Sequence, residues 1–366
     1  MKITTIIGAR PQFVKAAALS RAIRDAKANI VDEIIHTGQH YDENMSGVFF
    51  SELKIPSPIN LNVGSATSHS EQISIMLVRL EKILIDSSPD IVVIYGDTNS
   101  TLAGALVANR LRLPIAHVEA GLRTYEKYIA EEVNRILADY VADWLYCPSL
   151  VSVQNLARES ITKGVMMVGD VMYDVFLSNQ KAAQSKSADV LERYGLTHKQ
   201  FYLVTTHRAE NTNNLDNLRQ VMQALTTIAK MYPTLVPLHP RTCKVLAQNT
   251  DISTEGLKIV DPISYIDMLV LQRHCRLIVT DSGGVQKEAY WSGVPCVTMT
   301  ATDCWTELTD FGCNTVVGPN TKKILDAVDK YENDGLMITA PHGIYGNGDA
   351  SNKIAEHLLR IYGDSR

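Results

Sequence analysis

Short apolar, β-branched runs recur along this chain, and each gives way to a segment of helical character. In the first half they are Lys2 to Ile7, Val31 to His36, Ile91 to Tyr95, Pro114 to Val118, Trp144 to Cys147 and Val165 to Val168. In the second half they are Phe201 to Thr205, Leu235 to Leu238, Leu277 to Thr280 and Pro295 to Met299. Runs of this kind fit strands buried on both faces of a parallel sheet. Strand–helix alternation sustained over both halves predicts an α/β fold, with helices on both sides of open sheets. At 366 residues the chain exceeds a single core. The expected architecture is two doubly wound, Rossmann-like domains facing a cleft. Residues 1–170 form the first, 171–350 the second, and 351–366 a helix packing back towards the first.

Ligands of such sheets bind beyond the carboxyl ends of the strands. Arg10, Gln39, Asp97, Glu119, His207, His239, Arg241 and Ser282 all fall there. Arg10 and Lys15 place positive charge after the first strand, and a diphosphate is a natural partner. His117 and Glu119, two apart in a strand, are expected on one face. From Ile129 the pattern turns helical. Ile129, Val133, Ile136, Leu137, Tyr140 and Val141 make an apolar stripe, as for a helix facing a core. Glu131, Asn134, Arg135 and Asp139 share a neighbouring face.

The stretch Leu277 to Tyr290 carries the sharpest signal. A strand runs into Asp281-Ser282-Gly283-Gly284, and a helix begins. Two glycines admit close approach to the backbone, and free N–H groups with the helix dipole favour an anion. Glu288 follows where a carboxylate can accept from a ribose. The alternative is an Asp-Ser helix cap over a packing glycine pair. Around this turn the second domain offers His207, Arg208, His239 and Arg241, while the first offers Asp97, Glu119 and Glu131. A nucleotide held by the second domain, with its sugar presented to carboxylates, fits that division.

Other classes are disfavoured. A net charge of -5 gives no reason to expect nucleic acid. No Gly-x-Gly-x-x-Gly follows the first strand and no Walker A pattern occurs, so no dinucleotide or other cofactor is expected. The cysteines are scattered without a Cys-x-x-Cys pair, against zinc or a disulfide framework. Asp97 and Glu119 lie among Thr, Asn and Ala, so no metal is expected there. The chain enters a strand directly after Met1 and has no spanning apolar run. It reads as cytoplasmic, with no membrane partner.

Seven motifs together resemble the non-hydrolysing UDP-N-acetylglucosamine 2-epimerase family. They are Gly8-Ala9-Arg10-Pro11-Gln12, His36-Thr37-Gly38-Gln39-His40, Gly96-Asp97-Thr98 and His117-Val118-Glu119-Ala120-Gly121-Leu122-Arg123. The others are Glu131-Glu132-Val133-Asn134-Arg135, Thr206-His207-Arg208-Ala209-Glu210-Asn211 and Asp281-Ser282-Gly283-Gly284. The resemblance covers essentially the whole chain. It implies a GT-B-type fold, a UDP-sugar substrate and a homodimer. It further implies elimination of UDP to a glycal and its re-addition, inverting C2. Carried over by position, Asp97, Glu119 and Glu131 are the catalytic carboxylates and His207 is the group at the diphosphate. Arg10, Lys15, Gln39, Arg135, Arg208, His239 and Arg241 would bind the UDP-sugar. Pro262 and Tyr265 would lie near uracil, Ser282, Gly283 and Gly284 at phosphate, and Glu288 at ribose.

This chain also departs from many relatives. Tyr41 stands where they carry Arg, and Thr300 and Asp303-Cys304 stand in a loop where they carry Arg before Thr-Glu. The opening motif and Gly343 to Gly348 look more like the branch acting on UDP-2,3-diacetamido-2,3-dideoxyglucuronate, an O-antigen precursor. That substrate is the second expectation. A GT-B glycosyltransferase is the third, although no apolar or basic acceptor patch is visible near the N-terminal helices.

Overall fold

In a computed structural model of the protein, the described residues are 1–26, 30–39, 57–64, 68–335, 338 and 341–364. His40 and Tyr41 lie outside them. The chain divides into two compact units, Met1–Val175 with Gly343–Arg366, and Phe176–His342.

The first unit is built on a parallel sheet in the order β3-β2-β1-β4-β5-β6-β7. Its strands are β1 (Lys2–Ile7), β2 (Val31–His36), β3 (Ile59–Asn60), β4 (Ile91–Tyr95), β5 (Ile115–Val118), β6 (Trp144–Cys147) and β7 (Val165–Met167). Every residue of β4 is buried, because helices cover both faces. One face packs Phe13, Ala17 and Leu19 of helix Arg10–Asp25 with Ile354, Ala355 and Leu358 of helix Ala350–Asp364. The other packs Met76, Leu80 and Leu84 of helix His69–Ser87 with Ala103, Ala105 and Val107 of helix Asn99–Arg110. The C-terminal helix is tied down by Asp174, whose carboxylate accepts from the backbone N–H of Ala350 and of Ser351.

The second unit repeats the plan, with order β10-β9-β8-β11-β12-β13, also parallel. Its strands are β8 (Tyr202–Thr205), β9 (Thr234–Pro237), β10 (Leu257–Val260), β11 (Leu277–Thr280), β12 (Cys296–Thr298) and β13 (Asn314–Val316). Its core joins Val204, Val236, Val279 and Val297 to Val221 and Leu225 of helix Leu215–Ile228 and Val328 of helix Thr321–Asn333. No helix among the described residues is long and apolar enough to cross a membrane.

Two local expectations fail. The helix Ala130–Val141 is turned the other way round. It buries Glu132, Asn134, Arg135, Ala138 and Asp139, and its apolar stripe faces out, with Val133 40%, Leu137 43% and Tyr140 76% exposed. Glu132, Asn134, Arg135 and Asp139 of the inward face each take part in hydrogen bonds, so desolvation there is offset by partners rather than by apolar packing. Nor do His117 and Glu119 continue one alternation. β5 ends at Val118, and Glu119 takes a left-handed φ of 70°, so the period of two stops between them.

Candidate active site

In each sheet the strand order reverses once, between β1 and β4 and between β8 and β11. Crevices at such switch points are where open α/β sheets bind ligands. The motif loops of each unit follow one another across these points.

In the first unit the loops after β2, β1, β4 and β5 are stitched together. The Gln12 side chain accepts from the N–H of Gly8 and of Ala9, at 2.7 and 3.0 Å, and donates to the carbonyl of Tyr95 at 2.7 Å. Gln39 accepts from the Ser100 N–H and hydroxyl. A Cβ at Gly8 would fall 1.9 Å from Ser100 Oγ and 2.4 Å from Thr37 Oγ1. Only glycine permits the β1 and β4 loops to approach this closely.

These contacts frame two carboxylates. Asp97 follows Gly96 at the end of β4 and is ion-paired with Arg135. Its own carbonyl accepts from Asn134 at 2.9 Å. Arg135 is itself oriented by Glu132, 2.7 Å away. Glu119 follows β5 and is ion-paired with Lys15, both side chains being nearly buried. Glu119 Oε2 lies 3.1 Å from where a Cβ of Gly96 would stand, which places it beside the Asp97 turn. A left-handed φ in a glutamate is a strained geometry held by its surroundings. Here the N–H groups of Glu119 and Ala120 both bind the Tyr146 carbonyl. Glu131 is exposed in the first turn of the helix Ala130–Val141, one turn before Asn134 and Arg135.

In the second unit, strand order puts four loops in a row. They carry Pro262 and Tyr265, then His239, then His207 and Arg208, then Ser282 to Gly284. Asp281 organises the last two. It is fully buried, and its Oδ2 accepts from Thr206 Oγ1 at 2.9 Å, the N–H of His207 and of Arg208 at 3.0 Å, and Asn211 Nδ2 at 3.1 Å. Its Oδ1 faces His207 Nδ1 at 3.2 Å, while the histidine ring is 58% exposed. Burial would raise the Asp281 pKa, but the bond and charge of His207 and the Arg208 N–H carry it below the ordinary carboxylate value.

Asp281 is therefore spent on the neighbouring loop, and Ser282 makes no side-chain cap on its helix, Gly283–Trp291. The reading of Asp-Ser as a helix cap does not describe this turn. Free N–H groups at the first turn of that helix suit an anion. Glu288, one turn further on, is buried and accepts from Gln272 at 2.7 Å. His239 and Pro262 are exposed at the ends of β9 and β10. Backbone is described at Arg10 and Arg241; their side chains lie outside the described residues.

Gln12, Glu132, Asp139, Asn211 and Asp281 escaped assignment as site residues. Gln12 had a signal, as a glutamine three residues after Ala9 at a helix start, where it can reach back to free N–H groups. Asp139 had one in lying on the polar side of an amphipathic helix. Asn211 had none.

Two doubly wound units, one presenting fixed carboxylates and the other an anion-suited helix start beside a histidine, define a GT-B-type enzyme. The family model for UDP-N-acetylglucosamine 2-epimerase matches residues 22–359. A UDP-N-acetylglucosamine 2-epimerase homolog of Methanococcus maripaludis is 43% identical, covering 99% of this chain and 100% of that protein. The UDP-2,3-diacetamido-2,3-dideoxy-D-glucuronate 2-epimerase of Pseudomonas aeruginosa is 42% identical over 99% of this chain and 100% of its own length. The crystal structure of Methanocaldococcus jannaschii UDP-GlcNAc 2-epimerase in complex with UDP-GlcNAc and UDP superposes with a TM-score of 0.88. It is 38% identical over 98% of this chain and 100% of that one. The chain belongs to the UDP-N-acetylglucosamine 2-epimerase family.

Proposed function

We propose that the enzyme inverts C2 of a UDP-N-acetylhexosamine, interconverting UDP-N-acetylglucosamine and UDP-N-acetylmannosamine without hydrolysis. The observation that carries this is the pair of carboxylates, Asp97 and Glu119, on adjacent strand ends, each fixed by a cation. A proton at C2 of a sugar is not acidic, so its removal must accompany departure of the group at C1. The C1–O bond breaks with its electron pair going to UDP, a carboxylate takes the C2 proton, and a C1=C2 bond forms. UDP then adds back at C1 as a proton reaches the other face of C2. Two faces call for two proton-handling groups, and Asp97, Glu119 and Glu131 are the carboxylates for them. His207 and the start of the helix Gly283–Trp291 would stabilise the leaving diphosphate. Pro262, Tyr265 and Glu288 would meet the nucleoside, and Lys15, Arg135, Arg208 and His239 would add hydrogen bonds or charge. A second copy of the chain would cover the outward apolar stripe of the helix Ala130–Val141, giving a homodimer.

The Pseudomonas relative supports a second reading, the same reaction on UDP-2,3-diacetamido-2,3-dideoxyglucuronate. Proton NMR of the purified enzyme in deuterated water separates the two. UDP-N-acetylglucosamine is expected to yield UDP-N-acetylmannosamine with deuterium at C2. Turnover of the diacetamido-uronate alone would move the assignment to that substrate. Free sugar plus UDP would refute the non-hydrolysing mechanism.

A further inference from the structure

His117 lies in β5 with its ring fully buried. Its Nδ1 is 2.7 Å from Asp139 Oδ1, and its Nε2 is 2.7 Å from the carbonyl oxygen of Gly96. A carbonyl has no hydrogen to donate. Asp139 has none either. The Arg123 guanidinium, 2.7 Å from its Oδ2, favours the ionised form. Asp139 Oδ2 is already taken by Arg123 NH1 at 2.7 Å and the N–H of Gly121 at 3.1 Å. A neutral imidazole has one N–H. It would aim a lone pair at an oxygen lone pair on one side, in a site where an unsatisfied contact is expensive.

We infer that His117 carries hydrogens on both ring nitrogens and acts as a positioning residue, clamping the Gly96 carbonyl so that Asp97 is held on station. The charges nearby balance, with the imidazolium and Arg123 set against Asp139 and Glu159. Cys147, whose thiol is pushed up by burial and by Asp139, adds no charge. The clamp has a partner on the other side of the turn, since the Gly96 N–H binds the Val118 carbonyl at 2.9 Å. Asp139 comes from the same helix that sends Asn134 to the Asp97 carbonyl and Arg135 to its carboxylate. One inward polar face thus sets three points of the turn, and His117 is the link to the third.

Two measurements test this. In enzyme labelled with nitrogen-15 at histidine, the His117 signals, identified by their loss in His117→Gln, are expected to show an N–H at both nitrogens at neutral pH. A bare nitrogen at either position would overturn the charged form. This arm does not depend on Asp97 being catalytic and needs only the native protein. The second arm does rest on that reading. Glutamine cannot bridge the two acceptors, so His117→Gln is expected to lose turnover on the order of 100-fold through misplacement of the turn. Its KM, and the affinity for UDP, would stay near those of the native enzyme. Unchanged turnover in folded variant would refute the positioning role, and a rise in KM alone would refute it equally. If Asp97→Asn retains activity while the double N–H is observed, the catalytic reading fails and the charged clamp stands.

Discussion

Substitution of Asp281 by asparagine tests the organisation of the second unit. Asparagine has the same shape, so its amide oxygen can take the place of Oδ2 and keep the four donors from Thr206, His207, Arg208 and Asn211. What is lost is charge, together with the contacts Oδ1 makes to the His207 N–H and ring. A hydrogen bond to a charged group contributes about 1 kcal/mol more than a neutral one. Four donors share one oxygen and do not add fully, so roughly 3 kcal/mol is expected. With a urea slope of about 2 kcal/mol per molar, the midpoint for this unit should fall by about 1.5 M. Trp291 and Trp305 lie in this unit and Trp144 in the other, so tryptophan fluorescence in a Trp144→Phe background reports its unfolding.

The variant also places an N–H₂ opposite His207 Nδ1. That nitrogen must then accept, and the ring hydrogen moves to the outward Nε2. Turnover should drop more than UDP affinity does. The pH dependence follows the same residue. Its pKa is depressed on folding, so its stabilisation is present above the unfolded value of about 3.9 and is lost as pH falls through the folded one. Asparagine should remove that acid sensitivity. An unchanged urea midpoint with unchanged turnover would refute the account of Asp281 as the residue that fixes this loop.

Other outcomes are equally specific. Asp97→Asn, Glu119→Gln and Glu131→Gln should each reduce turnover by about 100-fold or more while UDP binding, measured by calorimetry, is retained; full activity in any of them removes that residue from the mechanism. Gly121→Ala should destabilise the first unit by at least about 2 kcal/mol, because φ is +82° and the new Cβ would lie 2.4 Å from the Ser152 carbonyl oxygen; thermal melting checks this. Leu137→Asp should convert a dimer to monomers in analytical ultracentrifugation, with the fold intact by circular dichroism.

The central strands were legible because their residues are buried on both faces, and burial in a parallel sheet writes itself as an unbroken apolar run. Ile91–Tyr95 and Leu277–Thr280 are read directly. β3 was not, being two exposed residues at the sheet edge. The loops of the site were legible as clusters of Gly, Asp and His after strands. The contacts that fix them were not, because they join residues far apart in sequence, as Gln12 to Tyr95 and Asp281 to Asn211 do. Periodicity misled at the helix Ala130–Val141, since it finds an apolar stripe without showing which way the stripe faces.

That inversion links the candidate site to the proposed dimer. Turned inward, Val133, Leu137 and Tyr140 would each gain up to about 1.5–3 kcal/mol from burial. Turned inward instead are Glu132, Arg135 and Asp139, whose desolvation must be offset by close pairing. Counting apolar burial alone, the opposite orientation would be the cheaper one. Two things reverse the balance. The polar face reaches the Asp97 turn at three points, which no apolar face can do, and each of its charges has a partner. The outward stripe then recovers its hydrophobic stabilisation only when another surface covers it, and a second copy brings an identical stripe. Tyr128, fully exposed just before the helix, and Val78 and Ile85 of the helix His69–Ser87, 72% and 56% exposed, extend the apolar character of the same unit. If the proposed dimer forms through this stripe, one helix orientation serves both the dimer and the placement of Asp97, and a substitution that splits the dimer is expected to weaken turnover without touching a residue of the site.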